Sequence, residues 1–289
     1  MCRHGVTLRA ATRGSPLARL QTELVAALLD DDVEALVVET TGDRRQDVPI
    51  HQMGGQGVFV KEVQQAVLDG RADIAVHSAK DLPSTATPGL VIAAVPERAD
   101  ARDAMVGSTL AALPRCARVG TGAVRRRAQL AAARPDLEFG ELRGNIDTRL
   151  RKATQFDAVV VAAAALIRLG RADAIAELLE PSVVMPQVGQ GALAVECRAD
   201  DARTLAVLAT AEHGPSRRAV DAERAYLAAL GGGCDLPAGA HAVVGSDGRV
   251  RMSAVLATFD GSVVVREEGE GDDGPALGAE LAGRVLART

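Results

Sequence analysis

Val6-Thr7-Leu8-Arg9-Ala10-Ala11-Thr12-Arg13-Gly14-Ser15-Pro16-Leu17 reads as a strand, a polar loop and the start of a helix. Val6–Ala10 is the β-rich run and Ala11–Gly14 the loop. Ser15 is placed to cap a helix, its hydroxyl accepting from an exposed backbone N–H, and Pro16 stands where a missing N–H costs nothing. Leu17, Leu20, Leu24 and Leu28 follow at helical spacing and predict one inward face. A strand passing through a short loop into a helix is half of a βαβ unit, so the stretch argues for an α/β fold. In such folds ligands bind beyond the carboxyl ends of the strands, where Ala11–Gly14 would lie.

The unit recurs along the chain. Val33–Glu39 predicts a second strand, and Val58–Asp69 a helix with Val60, Val63 and Val67 inward and Gly70 as its stop. Asp73–His77 is a strand running straight into Ser78-Ala79-Lys80-Asp81-Leu82-Pro83. Arg118–Gly120 leads through Thr121-Gly122 to a helix carrying Arg125, Arg126 and Arg127, and Leu137–Leu142 leads through Arg143-Gly144-Asn145 to one carrying Arg149. Asp157–Ala163 is a buried strand before a helix that ends at Gly170. This alternation predicts parallel sheets. The last third differs. Ser216–Leu230 is a helix broken by Gly231-Gly232-Gly233-Cys234, after which His241–Val244, Arg249–Phe259 and Ser262–Arg266 are strand-like and joined by Gly- and Asp-rich turns. An acidic loop, Gly271–Gly274, and a helix, Pro275–Ala287, complete a small α+β domain with a three-stranded antiparallel sheet.

A chain of 289 residues has room for two or three cores, and with 47% hydrophobic but only 2% aromatic residues these must be built from Val, Leu, Ile and Ala. No charge-free run of 18 apolar residues is present, so a helical membrane span is not expected. The start, Met1-Cys2-Arg3-His4-Gly5, shows no signal-peptide core, and a cytoplasmic location is expected. Cys2, Cys116, Cys197 and Cys234 form no Cys-x-x-Cys pair, which argues against a metal site and a disulfide framework. The formal net charge is −5, yet Arg115–Lys152 carries ten basic and four acidic residues. A basic island in an acidic chain points to an anionic ligand. Nucleic acid would want a broader basic face or stacking aromatics.

Several residues could carry chemistry. Arg13 and Ser15 at a helix start make an anion site, or simply a surface arginine and a cap. Thr121-Gly122 before Arg125 and Arg126, and Arg143-Gly144-Asn145 before Arg149, repeat the arrangement. Several arginine loops at strand ends suit a ligand with several carboxylates, because guanidinium pairs with carboxylate bidentately. Lys80 and Asp81 follow an apolar strand in a chain whose other lysines are Lys61 and Lys152. Asp81 is either a proton donor and charge stabiliser or a turn residue before Leu-Pro. Cys234 after three glycines is an accessible thiol or a plain helix stop. Cys197 reads as a structural strand residue, and His77 as a core histidine without a triad partner.

Taken together, these motifs resemble the porphobilinogen deaminase family, the hydroxymethylbilane synthases. The matching stretches are Ala11–Ala18, Gly57–Glu62, Asp73–Pro83, Gly120–Arg126, Leu142–Leu150, Gly189–Glu196 and Gly232–Pro237, in the family's order from Arg13 to about Ala240. The resemblance implies two periplasmic-binding-protein-like (type II) α/β domains plus a small C-terminal α+β domain. The first domain would span 1–97 and return at 187–212, the second 98–186, and the cofactor-attachment domain 213–289. It implies head-to-tail condensation of four porphobilinogen molecules with loss of ammonia, then hydrolysis to hydroxymethylbilane, on a dipyrromethane cofactor held as a thioether by Cys234. Asp81 matches the catalytic carboxylate. Arg13, Ser15, Arg143, Arg149 and Arg168 match residues that hold carboxylates of substrate or growing chain. Ser78, Lys80, Thr121, Arg125, Arg126 and Arg149 match the cofactor-binding set. A monomer is implied, with porphobilinogen and the growing polypyrrole as partners and neither nucleic acid nor membrane. The chain departs from the family's usual residues at Gln56 (commonly Lys), Ala79 (Met), Ala165 (Gly) and Asp235 (Gln or Ser), none of them an essential group. The rival readings are a non-enzymatic carboxylate-binding module, which leaves Asp81 and Cys234 unexplained, and a family member that has lost turnover.

Overall fold

The computed structural model describes residues 7–41, 57, 59–232 and 236–289. It divides into two compact units, one of residues 1–98 with 192–217, the other of 99–191 with 218–289. The first unit contains β1 (Leu8–Arg13), α1 (Pro16–Ala26), β2 (Val33–Val38), α2 (Lys61–Leu68), β3 (Ile74–Ser78) and β4 (Leu90–Ala94). The second contains β5 (Asp103–Val106), β6 (Arg118–Gly120), α3 (Val124–Ala133), β7 (Glu138–Gly140), α4 (Ile146–Lys152), β8 (Ala158–Ala162), α5 (Ala163–Arg168) and β9 (Glu177–Leu179). The chain then gives β10 (Leu193–Arg198) and α6 (Ala202–Leu208) to the first unit. After α7 (Gly214–Ala229) the second unit adds β11 (Ala238–Val244), β12 (Val250–Ala257), β13 (Val264–Gly271) and α8 (Gly274–Leu286).

The α/β class and the separate three-stranded antiparallel sheet are as the sequence predicts. The five-stranded sheets are not wholly parallel, however. Their orders are β2-β1-β3-β10-β4 and β7-β6-β8-β5-β9, and β10 and β5 each run antiparallel to both neighbours. Alternation along the sequence could not reveal this, because β10 arrives from a distant part of the chain and β5 precedes its own βα units. Helices and loops cover both faces of these sheets, so their inner strands are largely apolar, as in the fully buried run Ala158–Ala162, with His77, Glu196 and Asp103 among the buried exceptions. With few aromatics, the first sheet's cores are built from residues such as Val25, Ile74, Val76 and Leu208 on one side and Val63 and Val67 on the other.

Helix α1 starts as predicted, with the Ala18 N–H donating to Ser15 Oγ at 3.2 Å. Its buried stripe is not the leucine row. Ala18, Gln21, Thr22 and Val25 face inward, whereas Leu24 and Leu28 are exposed. The helix lies close to its sheet on small and hydrogen-bonding side chains, with Thr12 and Thr22 both donating to Ala18 O. Strand β13 also runs five residues past the predicted end at Arg266. Its glutamates alternate: Glu267 turns inward to ion-pair with Arg284 and Arg288, while Glu268 and Glu270 meet Ser253 and Arg249 across the outer face. Arg266 fastens this strand to the rest of the second unit by donating to Pro181 O (3.0 Å), Val183 O (3.1 Å) and Gln129 Oε1 (2.9 Å).

Candidate active site

In the first unit the candidate residues sit at the carboxyl ends of β1 and β3. Arg13 closes β1, its guanidinium 4.1 Å from the centre of the Phe59 ring, a cation–π contact that orients a charged group beside the capped start of α1. Strand β3 ends at Ser78 and turns at once through the single 3-10 turn Ala79–Asp81. The ladder outlasts the strand by one bond, Ala79 N–H to Ala192 O (3.0 Å). Ser78 Oγ accepts from Gln21 Nε2 (2.9 Å) and donates to Gln21 Oε1 (3.2 Å). Gln21 had no motif to mark it, only a place on the inner face of α1. Asp81 is half-buried beside Lys80 on this turn, an acid and an amine held at a strand end.

In the second unit the basic residues gather at the ends of β6, β7 and β8. Thr121 follows β6, donating its N–H to Gly140 O (3.0 Å) and accepting at Oγ1 from Ala123 N–H (3.3 Å), and so shapes the entry to α3. Arg125 and Arg126, on the first turn of that helix, are 3% and 4% exposed and share one carboxylate, Asp103, which is 0% exposed. Arg125 Nη2 reaches Oδ2 and Arg126 Nη2 reaches Oδ1, each at 2.7 Å, while Gln190 Nε2 donates to Oδ1 at 2.8 Å. Burial alone would raise the Asp103 carboxyl, but the two guanidinium charges and these hydrogen bonds hold it well below the ordinary carboxylate range. Burial lowers Arg125, with Asp103 opposing. Arg125 Nη1 also donates to Met185 O and Arg126 Nη1 to Val160 O.

The loop Arg143-Gly144-Asn145 supplies the start of α4, Asn145 Oδ1 accepting from Thr148 N–H at 2.9 Å. Gly144 has φ +112°, a conformation that favours glycine, and its carbonyl accepts from Arg149 Nε at 2.8 Å. Arg149 is thereby folded back onto the loop that carries Arg143. Arg168, in the last turn of α5, donates to Gly191 O at 2.8 Å, and burial lowers its pKa. The structure thus joins Arg125 with Arg126, and Arg149 with the Arg143 loop. Sequence reading missed Asp103 and Gln190, the groups that meet the arginine pair. The one available signal was a charge at the head of the apolar run Asp103–Val106, with Gln190 inside a quoted motif.

Cys234 lies outside the described residues, as does Gln56. Burial pushes the Cys197 thiol up to about 11, so it is held as a thiol inside β10. Among the described residues no three His, Cys, Asp or Glu side chains come together as a metal site, and no helix is long and apolar enough to cross a membrane.

Two family models cover almost all of this chain: "Porphobilinogen deaminase, dipyromethane cofactor binding domain" over residues 8–206 and "Porphobilinogen deaminase, C-terminal domain" over residues 218–287. The chain belongs to the porphobilinogen deaminase family. Curated relatives named porphobilinogen deaminase include those of Acidothermus cellulolyticus, 48% identical over 96% of this chain and 88% of that one, and Roseiflexus sp. (strain RS-1), 47% identical over 97% and 96%. The protein of Nitratidesulfovibrio vulgaris (strain DSM 19637 / Miyazaki F) is 45% identical over 96% of this chain and 92% of its own. The cofactor for which the family's first domain is named, a dipyrromethane, bears carboxylates, and the residues present fit it. Arg126 Nε is a buried donor with no hydrogen-bond partner among the described residues, and a carboxylate oxygen would satisfy it.

Proposed function

We infer that this chain is a hydroxymethylbilane synthase, a transferase that condenses four porphobilinogen molecules head to tail with loss of ammonia and hydrolyses the product to hydroxymethylbilane. The observation that carries this reading is the match of both family models, together spanning residues 8–206 and 218–287. When bound, the dipyrromethane supplies the pyrrole carbon from which the chain grows. Asp81 gives a proton to the departing amine of porphobilinogen, and the resulting carboxylate offsets the positive charge left on the substrate's methylene carbon and pyrrole nitrogen. Lys80, Ser78 and Thr121 bind the cofactor with Arg125 and Arg126. Arg13, Ser15, Arg143, Arg149 and Arg168 hold acetate and propionate groups as the chain lengthens, with Arg149 serving both sets. Cys234 is the thioether anchor. The protein acts as a cytoplasmic monomer, with one domain at 1–97 and 187–212, a second at 98–186 and a third at 213–289.

Intact mass tests the reading. The purified protein should exceed its polypeptide mass by two porphobilinogen units less their lost amines, and Cys234→Ala should not. A bare polypeptide mass in both, unchanged after incubation with porphobilinogen, would sink the deaminase reading.

A further inference from the structure

His77 and Glu196 belong to two of the quoted motifs, yet no role above uses them. Their strands are antiparallel neighbours in which Ala194 stands opposite His77 and Glu196 opposite Ala75. Alternation along the strands puts His77 and Glu196 on one face as diagonal neighbours. His77 Nε2 lies 3.1 Å from Glu196 Oε2, and the side chains are 4% and 5% exposed. Gln64 of α2 donates its Nε2 to both carboxylate oxygens, at 3.1 and 2.8 Å, and its Oε1 accepts from Thr87 Oγ1 at 3.0 Å. Two strands, a helix and the segment before β4 therefore converge on one buried carboxylate. Gln64 holds the carboxylate by hydrogen bonds while His77 Nε2 meets it at contact distance without a well-aligned one, so displacing Glu196 strands a buried amide and opens the space beside the imidazole.

What this point fixes is the root of the Ser78–Asp81 turn. His77 is the residue before Ser78, and the β3–β10 ladder ends at Leu193 opposite Ser78 and at Ala79 N–H to Ala192 O. We propose that Glu196 and His77 are positioning residues for Asp81: they set where its carboxyl stands relative to the departing amine without touching substrate. The proposal rests on the deaminase reading. A displacement of about 1 Å at a proton-transferring group can cost about 10²-fold in rate.

The test uses cofactor-loaded protein, with loading verified by intact mass and folding by thermal denaturation. Glu196→Gln should lower kcat for porphobilinogen at least about tenfold while KM stays within about twofold. Because the effect runs through Asp81, Glu196→Gln combined with Asp81→Ala should be no slower than Asp81→Ala alone. Should the single variant fold poorly, replacement of His77, Glu196 and Gln64 together by leucine takes its place, since leaving Gln64 would strand its buried amide, whereas apolar groups of similar size commonly substitute for a buried polar cluster without loss of stability. It should be stable, loaded and slow. A stable, loaded variant with wild-type kcat would overturn the proposal, as would a loss that adds fully to that of Asp81→Ala. An unloaded wild-type protein without turnover would instead overturn the deaminase reading.

Discussion

In each five-stranded sheet the strand in fourth place runs antiparallel to its neighbours and carries a buried carboxylate, but the groups that meet it differ. In the first unit Glu196 lies opposite Ala75, inside the sheet, and is met by one imidazole and one amide. In the second Asp103 lies opposite Ala162, at the carboxyl end of β8, and is met by two guanidiniums and an amide. One carboxylate against two arginines leaves that strand end positive, which suits it to hold anions. The first sheet's cluster is at most neutral, and beyond its strands the carboxylate of Asp81 stands on one turn with the amine of Lys80, while Arg13 closes the neighbouring strand. On the function proposed above, a single architecture carries two electrostatic tasks, retention in one unit and proton handling in the other.

The sharpest way to break this contrast is Asp103→Asn. It leaves two buried guanidiniums without their counter-charge and should cost about 3–5 kcal/mol of stability at neutral pH, read by denaturant unfolding. The Asp103 carboxyl is depressed in the folded chain. Its contribution is therefore complete above the ordinary carboxylate value of about 4 and is lost as pH falls below that towards the folded value. The gap between wild type and Asp103→Asn should accordingly narrow in acid, and a gap that widened there would reverse the sign given to the pair. Next in size, Asp81→Ala should stay folded and loaded but lose at least about a hundredfold in kcat. Near-normal turnover would remove proton handling from the first unit. Arg143→Leu should weaken binding of the growing chain about tenfold or more, the worth of one charged hydrogen bond, and stall elongation at loaded species visible by intact mass. Unaltered product formation would count against retention by the Arg143 loop. Smallest is Ser15→Ala, which removes the cap of α1 and should cost about 1 kcal/mol. An added rise in KM would show that Ser15 also meets substrate.

Local features were the legible ones. Ser15-Pro16 marked the start of α1, Gly70 the stop after α2, and the apolar run into Ser78 the strand end that bears Lys80 and Asp81, because each signal lies within a few residues of its effect. The arginine loops could be seen as basic, but not what they touch. Asp103 meets partners 22, 23 and 87 residues away, and no spacing rule spans such distances. The leucine row of α1 fitted a helix yet named the wrong face, since Gln21 and Thr22 go inward to make hydrogen bonds that hydrophobicity does not register. The antiparallel strand in each sheet depends on where the chain returns, which periodicity does not encode.

Gly189–Glu196 crosses from the second unit to the first, giving Gln190 to Asp103 and, six residues later, Glu196 to the side of His77. Between them Gly191, at φ +86° and with room for no Cβ beside Ala99 O, fixes where the crossing occurs. The stretch therefore works as a ruler as well as a set of side chains. Inserting or deleting one residue between Gly191 and Leu193 would leave Gln190 in place but turn every side chain of β10 to the opposite face. Glu196 would then point into the apolar core of Val25 and Ile74, and Val195 (after an insertion) or Cys197 (after a deletion) would take its place beside the histidine. Length in this short stretch is consequently constrained more tightly than composition, and a one-codon insertion there should be less tolerated than most substitutions.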